Sequence, residues 1–271
     1  MTPINGETQI IGFLGSTYKT SKMYAIYNAA FKVLNLNYAY IPFVVKNLRK
    51  AVEGIRHLGI KAVGITIPYK IEILKYLDEL DENAKRIRAV NVVINNQGKL
   101  IGGNTDGLGA ARAVKEITAI SGKKVILLGA GGAARAIAFA ISSEGGKLTI
   151  LNRTIDEAKE LAGQIRSHFG GLEKIDREIK NADILINSTS VGMVPNKNES
   201  LISKKLLHKK LVVMDLVTNP KETKLLKESK RTGCKIVYGE RMLFWQAVLK
   251  FKLFTGIDAP IEVMEETLLS D

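Results

Sequence analysis

A chain of 271 residues, 46% hydrophobic and 25% charged, is long enough for two ordinary domains and has the profile of a globular protein. Formal net charge is +13, but the lysines are scattered in short clusters such as Lys204-Lys205 and Lys209-Lys210, and aromatics are only 6%; this suits small anionic ligands and argues against nucleic acid. No apolar run reaches the roughly 18–20 residues that span a bilayer, no basic-then-apolar leader opens the chain, and the single Cys234 forms no internal disulfide, so a cytoplasmic protein with no membrane partner is expected.

Residues 9–104 read as alternating short strands and helices. Gln9 to Leu14 is a strand ending at Gly15, and Met23 to Leu34 a helix with Ile26, Ala30, Phe31 and Leu34 on its apolar face. The strand Tyr38 to Val44 contains Pro42, which places it near a sheet edge. Leu48 to Leu58 is a helix closed by Gly59 as its C′ residue. A buried strand, Ala62 to Ile67, runs into Pro68-Tyr69-Lys70, and a helical stretch is expected from there to about Arg88. Short strands Val90 to Ile94 and Leu100 to Gly103 flank the turn Asn95-Asn96-Gln97-Gly98. This order predicts an α/β domain with a mostly parallel sheet over residues 1–104.

A connecting helix over 105–120 leads to a second α/β domain, 105–239, with strands at Lys123 to Leu128, Leu148 to Leu151, Ile184 to Asn187, Leu211 to Asp215 and Lys235 to Tyr238. From Glu240 to Thr255 a helix carries Met242, Gln246, Leu249 and Leu253 at helical spacing. Residues 240–271 are expected to complete the first domain.

The stretch Gly129-Ala130-Gly131-Gly132-Ala133-Ala134 follows the first strand of the second domain and opens an alanine-rich helix. Gly129 permits a tight turn, Gly131 leaves no Cβ between the backbone and a pyrophosphate, and Ala134 lets the helix lie close on the strand. The helix N-terminus then offers free N–H groups and partial positive charge to the phosphates. At the end of the next strand, an NAD enzyme would present Asp or Glu to the ribose diol; this chain has Asn152-Arg153-Thr154. An arginine beside a hydroxyl suits a 2′-phosphate, so NADP is the expected cofactor. The same residues also read as a helix start, with Thr154 as N-cap and Glu157 in the capping-box position. In the first domain, Lys70 at a helix mouth and Asp106 in Gly103-Asn104-Thr105-Asp106-Gly107 are candidates for proton transfer and substrate orientation. Cys234 reads as a small buried hydrophobe, since nothing nearby in sequence would activate a thiol.

Taken together, the motifs resemble the shikimate dehydrogenase family over nearly the whole chain. Ile65-Thr66-Ile67-Pro68-Tyr69-Lys70 is similar to the family's V-T-x-P-x-K segment, Ala89-Val90-Asn91 to A-V-N-T, and Asn104-Thr105-Asp106-Gly107 to N-T-D-G. Gly129-Ala130-Gly131-Gly132-Ala133 and Asn152-Arg153-Thr154 resemble the NADP motifs, Asn187-Ser188-Thr189-Ser190-Val191-Gly192-Met193 a further cofactor-side loop, and Met242-Leu243 with Gln246-Ala247 the final M-L-x-x-Q-A helix. The resemblance implies a substrate domain, a Rossmann-type NADP domain and reversible reduction of 3-dehydroshikimate to shikimate by NADPH. It further implies Lys70 as acid/base with Asp106 as its partner, and Ser21, Met23, Thr66, Asn91, Thr218 and Gln246 on the substrate side. The cofactor would be held by the residues from Gly129 to Ala133 and from Asn152 to Thr154, together with Ser188, Thr189, Leu216 and Gly239.

Three departures fall on the substrate side. The family's H-S-K-S-P loop reads Thr20-Ser21-Lys22-Met23-Tyr24, replacing a serine by Met23; its N-V-T begins with Gly64; and Thr218 replaces the tyrosine of V-Y-x-P. Losing one hydrogen bond to a charged group weakens binding by about 1.5–3 kcal/mol unless Thr20 or Tyr24 replaces it. The pattern is that of retained hydride chemistry with the acceptor open. The alternatives are a relative acting on quinate, an aminated shikimate or another hydroxy-acid, a non-catalytic NADP-binding regulator, and a folate-type methylene dehydrogenase. A monomer or homodimer is expected, with no metal.

Overall fold

In the computed structural model, which describes residues 4–16, 22–66 and 68–270, the chain divides into two units. One comprises the chain up to Thr105 together with the chain from Gln246 onward; the other is Asp106–Trp245. No helix among the described residues is long and apolar enough to cross a membrane.

The first unit runs β1 (Gln9–Gly15), α1 (Lys22–Val33), β2 (Tyr38–Val44), α2 (Leu48–His57), β3 (Ala62–Ile65), α3 (Tyr69–Glu72), β4 (Glu79–Leu80), α4 (Glu82–Ile87), β5 (Val92–Asn96) and β6 (Lys99–Gly103). Among the described residues these strands form one sheet in the order β2-β1-β3-β5-β6-β4. β1 is parallel to β2 and β3, and β4 to β6, whereas β5 runs antiparallel to both neighbours because a short turn joins it to β6. Pro42 lies on the edge strand β2, where a missing N–H costs no ladder bond. Gly59, at φ +64°, follows α2 as the C′ residue. Leu14, Val52, Ile55, Val63, Ile65, Val93 and Leu100 build the core between sheet and helices.

The expected helix from Pro68 to Arg88 is broken into pieces. α3 ends at Glu72, a 3-10 turn takes Ile73–Tyr76, and β4 pairs with β6 before α4 begins. Asp81 accounts for the restart: its carboxylate accepts the Ala84 N–H at 2.6 Å, the local bond that makes aspartate an N-cap rather than a helix-interior residue.

The second unit runs α5 (Asp106–Lys115), β7 (Lys124–Leu128), α6 (Gly132–Ser143), β8 (Lys147–Leu151), α7 (Ile155–Ile165), β9 (His168–Gly170), α8 (Ile175–Glu178), β10 (Ile184–Asn187), β11 (Val212–Asp215), α9 (Lys224–Thr232), β12 (Lys235–Tyr238) and the start of α10 (Gly239–Thr255). Its sheet is parallel throughout, in the order β12-β11-β10-β7-β8-β9. Alternate residues feed two cores. Val125, Leu127, Ile184 and Ile186 face Ile137, Ile141 and Leu161, while Ile126, Leu128, Leu185 and Val213 face Ile175, Leu225 and Leu226. The strands are therefore buried on both faces, as a doubly wound sheet requires. β9 has three residues, too few for a period-2 pattern to reveal.

α10 and α11 (Ile261–Leu269) close the chain. The buried positions of α10 include Met242 and Gln246 of the expected stripe, Phe244, Ala247, Val248, Lys250, Phe251 and Phe254, whereas Leu253, also expected on the stripe, is 44% exposed. The stripe shifts only in the last turns, where rings decide it: in the first unit the Phe251 ring centroid lies 5.6 Å from that of Phe31, and that of Phe254 5.5 Å from that of Tyr27.

Candidate functional site

The carboxyl ends of β7 and β10 adjoin at the point where the strand order of the second sheet reverses, which is where doubly wound sheets open a ligand crevice. Gly129 sits there at φ +105°, and a Cβ on it would stand 2.8 Å from Ser188 Oγ and 3.2 Å from Thr189 Cγ2. Glycine is needed both for the turn and for the approach of the second loop. The turn is bound on both sides: the Gly129 N–H donates to Leu151 O at 2.9 Å, and Ser188 donates to Leu128 O through its N–H at 3.0 Å and its hydroxyl at 2.5 Å.

Gly131 is the N-cap of α6, with no side-chain cap and no acidic residue in the first turn. A Cβ at Gly131 or Gly132 would meet no protein atom within 4 Å, so packing does not demand glycine there. A bare backbone with uncapped N–H groups and an uncompensated helix dipole fits a pyrophosphate. Ala134 is buried and seats α6 on the sheet.

After β8, Arg153 and Thr154 are exposed, and Arg153 pairs with no carboxylate among the described residues. Thr154 is the N-cap of α7, but its side chain makes no capping bond. The expected capping box does not form because Asn152 Nδ2 holds Glu157 Oε2 at 2.7 Å and Thr154 O at 3.0 Å. Asn152 thus organises the turn and draws the neighbouring carboxylate to itself, leaving Arg153 for an anion.

Leu216 and Gly239 also meet. A Cβ on Gly239 would lie 2.7 Å from Leu216 O and 2.9 Å from Asp215 O, so α10 starts directly against the end of β11. Asp106 is the buried first residue of α5. At Gly107 a Cβ would collide with the Ala136 carbonyl, so this glycine lets α5 lie on α6.

Sequence reasoning quoted Asn187 only as part of a motif and missed Asp215 and Thr223. All three are buried and bonded together: Asp215 accepts from Asn187 Nδ2 at 2.9 Å, Val217 N at 3.1 Å and Thr223 Oγ1 at 2.6 Å. Burial pushes the Asp215 carboxyl above the usual carboxylate range, against the pull of those three donors. The available signal was a single polar residue closing each of two apolar strands, Ile-Leu-Ile-Asn and Val-Val-Met-Asp.

In the first unit, Thr66, Lys70 and Asn91 are brought together at the end of β3. Asn91 O accepts from Ile65 N at 2.9 Å, and Lys70 O from Val90 N at 2.8 Å. The Asn91 side chain is fully buried and held by Thr105, whose Oγ1 lies 3.0 Å from Nδ2 and whose N–H donates to Oδ1 at 3.0 Å. Lys70 lies in a four-residue helix after Pro68, half-buried. Gln246 is buried in α10, Thr218 is exposed after β11, and Met23 is half-buried in the first turn of α1. Ser21 and Thr20 lie outside the described residues. Lys22 is committed elsewhere, donating to the carbonyls of Leu268 and Ser270 at 2.9 and 2.8 Å. Gly64 faces a ring wall: a Cβ there would stand 3.2 Å from Phe13 and 3.3 Å from the Tyr40 hydroxyl. Tyr24 packs on both rings, at 6.4 and 5.8 Å. Cys234 is buried, donates to His208 O at 3.3 Å, and has its thiol pushed up by burial.

Three family models match in register: the shikimate dehydrogenase substrate binding domain over residues 13–93, shikimate / quinate 5-dehydrogenase over 111–229, and the shikimate 5'-dehydrogenase C-terminal domain over 239–269. The chain belongs to the shikimate dehydrogenase family. It is 44% identical over 276 residues to the shikimate dehydrogenase (NADP(+)) of Methanobrevibacter smithii, covering 98% of each chain. It is 41% identical to a shikimate dehydrogenase whose crystal structure holds NADP+, with a TM-score of 0.91 and coverage of 98% of this chain and 96% of the other. It is 34% identical to the shikimate 5-dehydrogenase of Listeria monocytogenes in complex with shikimate and NAD, with a TM-score of 0.92 and 98% of each chain covered. The fold class expected from the sequence is the family's two-part α/β plan.

Proposed function

We propose that this chain catalyses the NADP-dependent, reversible reduction of 3-dehydroshikimate to shikimate. The observation that carries the reading is the strand-end cluster of Thr66, Lys70 and Asn91, with the Asn91 amide oriented by Thr105. When bound, the cofactor would supply hydride transfer to or from the hydroxyl-bearing carbon. In the oxidative direction Lys70 takes the proton from the substrate hydroxyl, Asp106 holds that hydroxyl, and the C–O single bond becomes a carbonyl. Thr66, Asn91, Gln246 and the loop at Ser21 and Met23 bind the remaining hydroxyl and carboxylate groups, with Thr218 beside them. Gly129 to Ala133, Ser188, Thr189, Leu216 and Gly239 hold the cofactor, and Asn152, Arg153 and Thr154 take its 2′-phosphate. A small carboxylate suits the basic chain, and a monomer or homodimer in the cytoplasm suits its one buried thiol.

The test follows NADPH absorbance with purified protein and a panel of shikimate, quinate and related hydroxy-acids. Shikimate is expected to turn over fastest. Lys70→Ala is expected to abolish turnover and leave NADP binding within about twofold. Turnover of another acid with shikimate at background overturns the substrate assignment, and NADP binding with no turnover of any acid overturns the enzymatic one.

A further inference from the structure

We propose that Asp215 is a positioning residue for the cofactor loop, turning the Asn187 amide so that it holds Thr189 and Ser188 in place; this rests on the reading of Ser188 and Thr189 as cofactor contacts. Asp215 is wholly buried at the end of β11, and no cation among the described residues pairs with it. Its three partners are all donors.

The direction of these bonds is what matters. A side-chain amide presents a donor at one end and an acceptor at the other, and packing alone distinguishes the two poorly. Asp215 Oδ1 accepts from both Asn187 Nδ2 and Val217 N. The Asn187 NH₂ therefore gives one hydrogen to Asp215, at 2.9 Å, and the other more weakly to Val191 O, at 3.3 Å, which turns Asn187 Oδ1 toward Thr189. There it accepts from Thr189 N at 3.1 Å and Thr189 Oγ1 at 2.7 Å, and Thr189 Oγ1 in turn accepts from Val191 N at 3.2 Å. A flipped amide would set its NH₂ against the Thr189 N–H and a carbonyl against the carboxylate. The loop so held contains Ser188, which closes on the Gly129 turn. Through Val217 the same carboxylate shapes the segment after Leu216, so one buried acceptor governs two cofactor-side strand ends.

The experiment compares wild type, Asp215→Ala, Asp215→Asn, Asn187→Leu and the double variant Asp215→Ala/Asn187→Leu. NADPH dissociation constants come from nicotinamide fluorescence, kcat and KM from the shikimate assay, and folding from thermal melts. Asp215→Ala and Asn187→Leu are expected to raise the NADPH Kd and KM about tenfold with kcat within about threefold. Asp215→Asn keeps an acceptor at Oδ1 and is expected to stay within about threefold of wild type. The double variant is expected to be no more than about twofold weaker than the weaker single, because both break one chain. A folded Asp215→Ala that binds NADPH like wild type overturns the proposal, as does an Asn variant as impaired as the Ala variant or a double variant with additive losses. Should Asp215→Ala fail to fold, Asn187→Leu decides alone, and wild-type affinity there overturns the proposal. Wild type that binds no NADPH overturns the cofactor reading and this proposal together; wild type that binds while the variants are unchanged overturns this proposal only.

Discussion

Gly129 and Gly131 stand two residues apart in one motif, yet the structure gives them different reasons to be glycine, and paired alanine substitutions separate those reasons. At Gly129 the backbone has φ +105°, and the new Cβ would stand 2.8 Å from Ser188 Oγ. Adopting the left-handed side of the map costs an alanine about 1–2 kcal/mol. Displacing Ser188 also loses its hydroxyl bond to Leu128 O, worth about 1 kcal/mol. Gly129→Ala is therefore expected to lose about 2–3 kcal/mol of unfolding free energy. At Gly131 φ is −73° and a Cβ meets nothing, so Gly131→Ala is expected to change stability by less than about 1 kcal/mol. Its Cβ would instead enter the space a pyrophosphate approaches, raising the NADPH Kd by about tenfold or more. Urea unfolding monitored by circular dichroism gives the first quantity, and fluorescence titration gives the second. If Gly129→Ala unfolds at wild-type denaturant, the turn is not strained as described; if Gly131→Ala binds NADPH normally, the pyrophosphate does not lie there.

Arg153→Ala is expected to weaken NADP by roughly tenfold and leave NAD almost unchanged, since only the 2′-phosphate loses its partner; equal losses for both cofactors in steady-state KM would remove Arg153 from that role. Two aspartates on the second sheet should respond oppositely to pH. For Asp215 the native pKa is raised, mainly by burial, so its contribution to stability is complete below the ordinary carboxylate range and is lost as pH rises through the raised value. For Asp183 it is lowered, chiefly by the Lys124 N–H and then by Lys123, so its contribution is present above that range and is lost as pH falls through the lowered value. Melting wild type, Asp215→Asn and Asp183→Asn across the acid range should show the wild-type advantage over the first shrinking with rising pH and over the second shrinking with falling pH. The reverse slope in either refutes the assignment.

The glycine turn at Gly129 was legible because its constraint is local. A strand, a glycine at positive φ and a small-residue helix read the same in sequence as in space, and so does the edge proline Pro42. What failed needed partners far along the chain. The stripe expected on α10 at Met242, Gln246, Leu249 and Leu253 is buried at its first two positions, but Leu253 is exposed because the last turns are directed by Phe251 and Phe254 meeting Phe31 and Tyr27, more than 200 positions away. The capping box at Thr154 satisfied the local rule, yet Asn152 captured Glu157 first. Asp215 and Asn187 lay in plain view as strand-end polar residues. Only the parallel pairing of β10 with β11, which sets Asn187 beside Asp215, makes them one network.

The two proposed ligand sides are built from different groups. On the proposed cofactor side, the uncapped N–H groups of α6 and the turn at Gly129 act together with the side chains of Arg153, Ser188 and Thr189. On the proposed substrate side the groups are side chains, and two of the three departures, Gly64 and Met23, stand at or next in sequence to one set of rings. A Cβ at Gly64 would press on Phe13 and the Tyr40 hydroxyl, and Tyr24, next to Met23, packs on those same two rings. Restoring an asparagine at position 64 alone would force the rings apart, while restoring a serine at 23 alone would leave the wall intact. On the proposed reading the substrate's carboxylate binds beside this ring wall, so changing Phe13, Tyr24 and Tyr40 is expected to shift kcat/KM across the hydroxy-acid panel by more than Met23→Ser alone; an equal or larger shift from Met23→Ser refutes this.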